Sequence, residues 1–193
     1  GANPMKLLRF AFAGAMFVSA IAASTFASAA EFLTIQLKDG PVVIELMPDV
    51  APKHVAQIKT LAQKGAYDNV AFHRVIPGFM AQTGDVQYGN MSKSFNAQRA
   101  GTGGSDLPDL PAEFSKTPFE RGTVGMARSQ DPNSANSQFF IMFDKGPFLN
   151  GQYTVVGKVV SGMEFVDKIK KGQGGNGEVS DPDRMVKVTV GKK

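Results

Sequence analysis

Short apolar runs separated by turn residues are the feature that most constrains the fold of this chain. Residues 32–37 and 41–46 alternate apolar and polar side chains with a period of two, and Lys38-Asp39-Gly40 between them has the composition of a tight turn. Further apolar runs lie at 71–76, 79–83, 123–127, 139–143, 153–160 and 185–190. These runs do not alternate regularly with helices, so the pattern favours an antiparallel barrel or sandwich over a parallel sheet.

Two helices are expected within this β pattern. Asp49 is a candidate N-cap for the first helix, and an apolar stripe follows it, made of Val55, Ile58, Leu61 and Ala62. His54 lies beside this stripe and is interpreted as a solvent-facing residue. A second, shorter helix fits residues 163–170. Two stretches rich in Gly, Asn, Ser and Pro, 85–115 and 129–137, are loops long enough either to carry function or to be mobile.

The first 30 residues have the pattern of a removable leader. Gly1 to Pro4 precede a methionine and are interpreted as a cloning remnant, while residues 5–30 combine basic residues, an apolar stretch and a small-x-small motif, as in a secretory signal peptide. An uncleaved membrane anchor is the alternative. Cleavage after Ala29 or Ala30 would leave one domain, 31–193, in the periplasm. If the leader is retained, we expect a helix over residues 7–23 that associates with another copy of the chain.

Composition excludes several classes of function. The chain has no cysteine and only two histidines, so disulfides, thiolate nucleophiles and zinc-thiolate sites are ruled out, and no metal or other cofactor is expected. Without the leader, 19 basic residues stand against 17 acidic ones, too small an excess to indicate nucleic acid as a partner. Gly172, Gly174 and Gly177 match G-x-G-x-x-G, but they follow a helix, so they are interpreted as a surface loop.

Residues 72–85 are the most informative segment of the sequence. They read FHRVIPGFMAQTGD, and this run resembles the hallmark motif of the cyclophilins. Similar segments follow in the same order, GTGG at 101–104, GMA at 125–127, NSQFFI at 136–141, FLNG at 148–151 and VGKV at 156–159. The resemblance implies a closed eight-stranded antiparallel barrel capped by two helices, and a peptidyl-prolyl cis-trans isomerase of the bacterial secreted type.

The resemblance also implies which residues form the site. Arg74, Gln82 and Phe79 would be catalytic, with Arg74 as a fixed cationic donor to the twisted X-Pro bond. The substrate, a proline-containing polypeptide, would contact Met80, Ala127, Arg128, Phe140, Phe148, Leu149 and Tyr153. Alternation along the strand turns His73 away from Arg74, so His73 is interpreted as structural and not as an acid or base. Phe139 is out of phase with Phe140 and is expected in the core.

The sequence departs from well-known eukaryotic members of that family in ways that affect ligand binding. Phe148 stands where many carry tryptophan, Tyr153 falls near their histidine, and the loop from Arg128 to Asn136 is one residue longer. Loss of the indole N–H donor predicts weak cyclosporin binding with peptide turnover retained. The mature domain is expected to be a monomer. A non-catalytic module that holds unfolded chains in the same groove is the alternative function.

Overall fold

The structure, a computed structural model, describes residue 1 and residues 29–192. Most of the predicted cloning remnant and signal peptide, the predicted helix over 7–23 and its association with another copy therefore lie outside the described residues. The described part contains ten strands and two α-helices. They are β1 (Glu31–Gln36), β2 (Pro41–Leu46), α1 (Pro52–Gln63), β3 (Val70–Ala71), β4 (Arg74–Ile76), β5 (Met80–Thr83), β6 (Thr123–Met126), β7 (Phe139–Met142), β8 (Val155–Ser161), α2 (Met163–Val166), β9 (Arg184–Met185) and β10 (Lys187–Lys192), with a 3-10 helix at Pro147–Leu149.

Eight strands form one antiparallel sheet, and it is not closed. Their order is β10-β1-β2-β8-β6-β7-β5-β4, whereas β3 and β9 pair separately. Within the described residues β10 and β4 do not pair with each other, so the expected closed barrel is not seen. The free edge of β4 is covered by the segment 172–179, because Val75 N–H donates to Gly177 O and Gly172 N–H donates to Val75 O, both at 2.8 Å. The backbone groups of Val75 at this edge are therefore paired within the chain and not open to another strand.

The hairpin expected from residues 32–46 is present, and residues 74–83 form a second one. In the first, β1 pairs with β2, and Leu37 N–H donates to Gly40 O across the turn. In the second, Phe79 N–H donates to Ile76 O at 3.0 Å, and Gly78 has φ of +73°, a value that the third position of a type II turn requires. This turn sets the register that places Arg74 opposite Gln82.

The N-terminus of α1 is capped from outside its own segment, which corrects two expectations. The residue before the helix is Ala51, and Asp49 makes no cap. Instead the carboxylate of Glu113 accepts hydrogen bonds from His54 N–H at 2.9 Å and Lys53 N–H at 3.3 Å. His54, expected to face solvent, is 0% exposed, because its Nδ1 lies 2.6 Å from Glu113 Oε1. A carboxylate distant in the sequence thus accepts the hydrogen bonds that a local N-cap side chain was expected to accept.

The second helix is shorter than the pattern predicts. α2 ends at Val166, and the next turns are tighter, with Lys168 N–H donating to Phe165 O and Ile169 N–H to Val166 O. Lys170 N–H then donates to the carboxylate of Asp183, which draws the chain off the helix axis. Among the described residues, no helix is both long and apolar enough to cross a bilayer.

Two apolar clusters pack on the sheet. The larger fills the space between the sheet and α1 and includes Phe139, which is 0% exposed as predicted. The smaller is built on Met80, Phe119, Phe140, Met142, Leu149 and Val155. Three members of this second cluster, Met80, Phe140 and Leu149, line a cleft at the surface.

Candidate active site

A cleft of about 910 Å³ collects the residues that the sequence pointed to. They come from β4, β5 and β7, from the turn between β4 and β5, from the 3-10 helix and from the segments that follow β6 and precede β8. All ten expected site residues line it, namely Arg74, Phe79, Met80, Gln82, Ala127, Arg128, Phe140, Phe148, Leu149 and Tyr153. Sequence reasoning therefore located the cleft, and the geometry decides what each side chain can do there.

One side of the cleft is apolar and tightly packed. Met80, Phe140 and Leu149 are 2%, 5% and 7% exposed, so each presents only an edge to the cleft. The Phe140 ring stacks on Phe119 with centroids 5.8 Å apart. Gly125 makes this stacking possible, since a Cβ at that position would lie 2.6 Å from both rings. The result is a tightly packed apolar floor to the cleft.

Aromatic rings also form the rim above this floor. Phe148 is 68% exposed and packs on Phe79 with ring centroids 5.5 Å apart. Tyr153 meets Phe140 edge-on, with centroids 6.0 Å apart. These rings extend the apolar surface outward from the floor.

The opposite side of the cleft is polar and holds Arg74 in place. Arg74 Nε donates to the backbone carbonyl of Asn176 at 2.9 Å, and Nη1 donates to Gln82 Oε1 at 3.2 Å. Gln82 Nε2 in turn donates to Gln138 Oε1 at 3.0 Å, and Gln138 Nε2 donates to Gly103 O at 2.9 Å. Within the described residues Nη2 of Arg74 has no partner. The guanidinium is thus held by two hydrogen bonds, to Asn176 and Gln82, while one end stays available to a ligand.

Arg128 is held differently from Arg74. Its guanidinium lies 4.3 Å from the centre of the Tyr153 ring, and Nη1 and Nη2 donate to the carbonyls of Ser129 and Gln152. Both ends of the guanidinium are therefore engaged by protein backbone, and the side chain serves as a wall that fixes Tyr153. Beside it, a smaller cavity of about 240 Å³ continues the cleft past Ala127 and Gln138.

His73 borders the cleft as a neutral residue. Burial lowers the pKa of His73 to about 4, with Arg74 lowering it further and Asp85 opposing the shift. Neither ring nitrogen has a hydrogen-bond partner among the described residues. At neutral pH the imidazole therefore carries no charge, and Arg74 and Arg128 are the cationic groups of the cleft wall.

Sequence reasoning missed three residues that build the polar side. Gln138 lies in the NSQFFI segment at 136–141, for which the sequence predicted no role at this position. Asn176 lies between Gly174 and Gly177, in the run interpreted as a surface loop. Asp85 is 0% exposed and accepts four backbone N–H groups, those of Gln87, Tyr88, Gly101 and Gly103. The buried carboxylate ties the unassigned loop after β5 to the cleft, and the only signal for it was the Gly-Asp pair that ends the 72–85 motif.

The described residues contain no cluster of three or more histidine, aspartate or glutamate side chains that could hold a metal ion.

Comparison with known proteins places these features in context. Residues 32–190 match the model of the family described as cyclophilin type peptidyl-prolyl cis-trans isomerase/CLD. A "Probable peptidyl-prolyl cis-trans isomerase" of Brucella suis is 68% identical over 191 residues, covering 96% of this chain and 97% of the relative. Peptidyl-prolyl cis-trans isomerase B of Bacillus subtilis is 40% identical over 139 residues, covering 70% of this chain and 88% of that protein.

Solved structures give the same picture of the fold. The cyclophilin AquaCyp293 from Hirschia baltica matches with a TM-score of 0.68 and 28% identity, covering 82% of this chain and 73% of that one. A cyclophilin type peptidyl-prolyl cis-trans isomerase from Cryptosporidium parvum, crystallised in the presence of the dipeptide Ala-Pro, matches with a TM-score of 0.71 and 26% identity, covering 84% and 99%.

Proposed function

This chain belongs to the cyclophilin-type peptidyl-prolyl cis-trans isomerase family and is an enzyme of that kind, and we propose that it rotates X-Pro bonds without covalent chemistry, with Arg74 as the electrostatic donor. The observation that carries the proposal is the fixed guanidinium of Arg74 beside a rigid apolar floor. Its substrates are proline-containing polypeptides in an extended or unfolded state. The Cryptosporidium parvum relative crystallised with Ala-Pro supports this substrate class.

The barrier to rotation determines what the cleft must supply. Rotation about a peptide bond breaks amide resonance at a cost of about 18–20 kcal/mol. A millionfold acceleration requires removal of about 8 kcal/mol of this barrier. In the twisted transition state the prolyl nitrogen regains a lone pair and the amide becomes less polar, so two kinds of group lower its energy selectively: an apolar surface and a donor aimed at the nitrogen.

The two sides of the cleft fit these two requirements. The proline ring would rest on Met80, Phe140 and Leu149, which exclude water from the rotating bond. Arg74 would donate from Nη2, since its other nitrogens are engaged by Asn176 and Gln82. A donor that is already oriented needs no rearrangement in the transition state, and a guanidinium stays charged at any working pH.

An isomerisation assay on an Ala-Pro peptide tests the proposal. Arg74→Ala is expected to lower kcat/KM by about 10²- to 10³-fold, the effect of removing one preorganised donor. Arg121→Ala is a matched control. Arg121 forms an ion pair with Asp167, with 2.6 Å between Nη2 and Oδ2, and it does not line the cleft. A folded wild-type protein that binds the peptide but shows no isomerisation would instead favour a non-catalytic holding module.

We also propose that the enzyme is exported and acts on chains folding in the periplasm. The match to the Brucella suis relative covers 96% of this chain, so the similar sequence extends well into residues 1–30, the segment interpreted as a leader. Slow prolyl rotation, which takes tens to hundreds of seconds uncatalysed, limits folding of such chains. The mature domain would be a monomer. A solution mass above that of one chain for protein starting at Glu31 would contradict this part of the proposal.

Phe148 is proposed to weaken cyclosporin binding. The ring is largely exposed at the rim and carries no hydrogen-bond donor. Phe148→Trp is expected to tighten cyclosporin by up to about 2 kcal/mol, the worth of one hydrogen bond with some added apolar area. Titration of both proteins with the drug checks this. Equal affinities would assign the difference to the loop from Arg128 to Asn136.

A further inference from the structure

Phe95 is an exposed aromatic residue on the cleft wall that has no role in the mechanism above. It lies in the loop that follows β5, and 36% of its surface is exposed. Large apolar side chains exposed at the described surface are few, namely Phe95, Phe114, Phe148, Val160 and Val186. Of these five, Phe95 and Phe148 line the cleft. An exposed phenylalanine inside a binding cleft is a candidate contact for a ligand, whereas one elsewhere on a surface needs no explanation.

The backbone that carries Phe95 is fixed on both sides. Ser94 Oγ donates to Gln87 O at 3.0 Å, and Asn96 N–H donates to Tyr88 O at 2.9 Å. The guanidinium of Arg99 lies 4.2 Å from the centre of the Tyr88 ring and closes the loop on itself. The ring of Phe95 is therefore presented by a held segment, so its contact with a ligand requires little ordering of the loop.

The loop is also anchored to the residues that hold Arg74. Asp85 accepts the N–H groups of Gly101 and Gly103 at 2.8 and 3.0 Å. Gly103 O is the acceptor at the end of the hydrogen-bond chain that runs from Arg74 through Gln82 and Gln138. The segment 101–102 borders both the main cleft and the smaller cavity. The apolar floor and Phe95 line the same cleft, so a polypeptide with its proline on the floor can reach this loop.

We propose that Phe95 is a specificity-determining residue, which contacts a large apolar or aromatic side chain within three residues of the substrate proline. The inference rests on the proposed function and names the substrate class more narrowly. An acidic side chain is a poorer fit, because both guanidinium ends of Arg128 already donate to backbone carbonyls. An apolar side chain would cover the Phe95 ring and remove both from water.

A peptide series tests the inference. Six peptides each carry one phenylalanine in place of alanine, at each of the three positions on either side of a common proline, and the peptide with alanine at all six positions is the reference. For at least one position, wild-type enzyme is expected to prefer the phenylalanine peptide, and Phe95→Ala is expected to lower that preference ratio about three- to tenfold, the range of one aromatic contact. Phe95→Leu is expected to give an intermediate ratio.

Phe114→Ala is the matched control, because Phe114 is 45% exposed and does not line the cleft. It is expected to leave every ratio unchanged. Equal ratios in wild type, Phe95→Ala and Phe95→Leu would overturn the role of Phe95 even if all three turn over the reference peptide. Failure of the proposed function has a different signature, namely no wild-type turnover of the reference peptide or no effect of Arg74→Ala.

Discussion

The N-terminus of α1 and the wall of the cleft each contain a buried histidine, and the two differ in whether the ring has a hydrogen-bond partner among the described residues. His54 is 0% exposed, and its Nδ1 lies 2.6 Å from the carboxylate of Glu113. His73 is 8% exposed, has no hydrogen-bond partner for either ring nitrogen among the described residues, and lies next to Arg74 in the chain. Burial costs the second imidazole its charge, whereas the first meets a charged acceptor.

The contact of His54 stabilises the start of α1, whereas His73 borders the candidate active site. Burial raises the pKa of Glu113, but hydrogen bonds from the His54 ring and from the His54 and Lys53 N–H groups outweigh it and leave the pKa below its usual value. The ionised carboxylate joins α1 to a segment 59 residues away. In the cleft wall Arg74, and not His73, makes side-chain hydrogen bonds to other described residues. Because the pKa of His73 is lowered to about 4, its ring is neutral and adds no second charge beside Arg74. The fold thus gives the His54 ring at α1 a hydrogen-bond partner, whereas the His73 ring beside the site has none among the described residues.

The largest effect is expected at the helix cap. Glu113→Ala removes the acceptor for two N–H groups of α1 and leaves the His54 ring buried without its partner, so the free energy of unfolding should fall by about 3 kcal/mol. Urea denaturation measures it, with Glu120→Ala, an exposed glutamate, as the matched control. A loss below about 1 kcal/mol would show that the contact does not hold α1.

The second effect concerns stability against pH. Because the pKa of His73 is lowered to about 4 in the folded protein from an ordinary 6.5, the unfolded chain binds the proton more readily between these values. The contribution is complete above pH 6.5 and is lost as pH falls towards 4. We expect about 2 kcal/mol less stability at pH 5 than at pH 7 from this residue.

His73→Phe, which removes the titrating group and keeps a ring, should flatten this part of the stability profile. Denaturation at pH 7, 6 and 5 provides the comparison. The range from 6.5 to 4.5 isolates His73 from Glu113, whose lowered pKa affects stability only below its ordinary value of 4.5. An identical slope in the variant and the wild type would place the pH dependence elsewhere.

The smallest effect is expected at Gln138, a positioning residue. Gln138→Ala removes the acceptor for Gln82 Nε2 and so loosens the side chain that holds Arg74. Loss of about 1 kcal/mol of support should lower kcat about fivefold and leave KM nearly unchanged, since the apolar floor is intact. Steady-state kinetics on an Ala-Pro peptide separates the two constants. A change in KM alone would make Gln138 a binding residue instead.

Local patterns in the sequence predicted what local contacts create. The hairpin of β1 and β2, the Pro77-Gly78 turn and the buried face of α1 follow from alternation, turn chemistry and the apolar stripe. The motif at 72–85 and its companions located the cleft. Contacts between residues far apart in the chain were not predicted, because no local hydrophobic period or turn motif indicates them. Arg74 meets the carbonyl of Asn176 from 102 positions away, and Glu113 meets His54 from 59.

The same reason explains the errors. The pattern of α1 alone predicts a solvent-facing His54, and Asp49 is the nearest residue that could cap the helix, but the carboxylate that binds this terminus, Glu113, lies 59 positions from His54. Closure of the barrel was implied by the family and not by any local pattern, and the described sheet ends at β4, whose edge is covered by residues 172–179.

The central claim is that a fixed charge, and no proton transfer, accelerates the rotation. Its most direct test is the pH dependence of kcat/KM for an Ala-Pro peptide between about pH 6 and 8. A guanidinium carries its charge across this range, and His73, with its pKa lowered to about 4, stays neutral. The predicted profile is therefore flat across this range. A bell-shaped profile, or a single step with its midpoint inside the range, would contradict the claim.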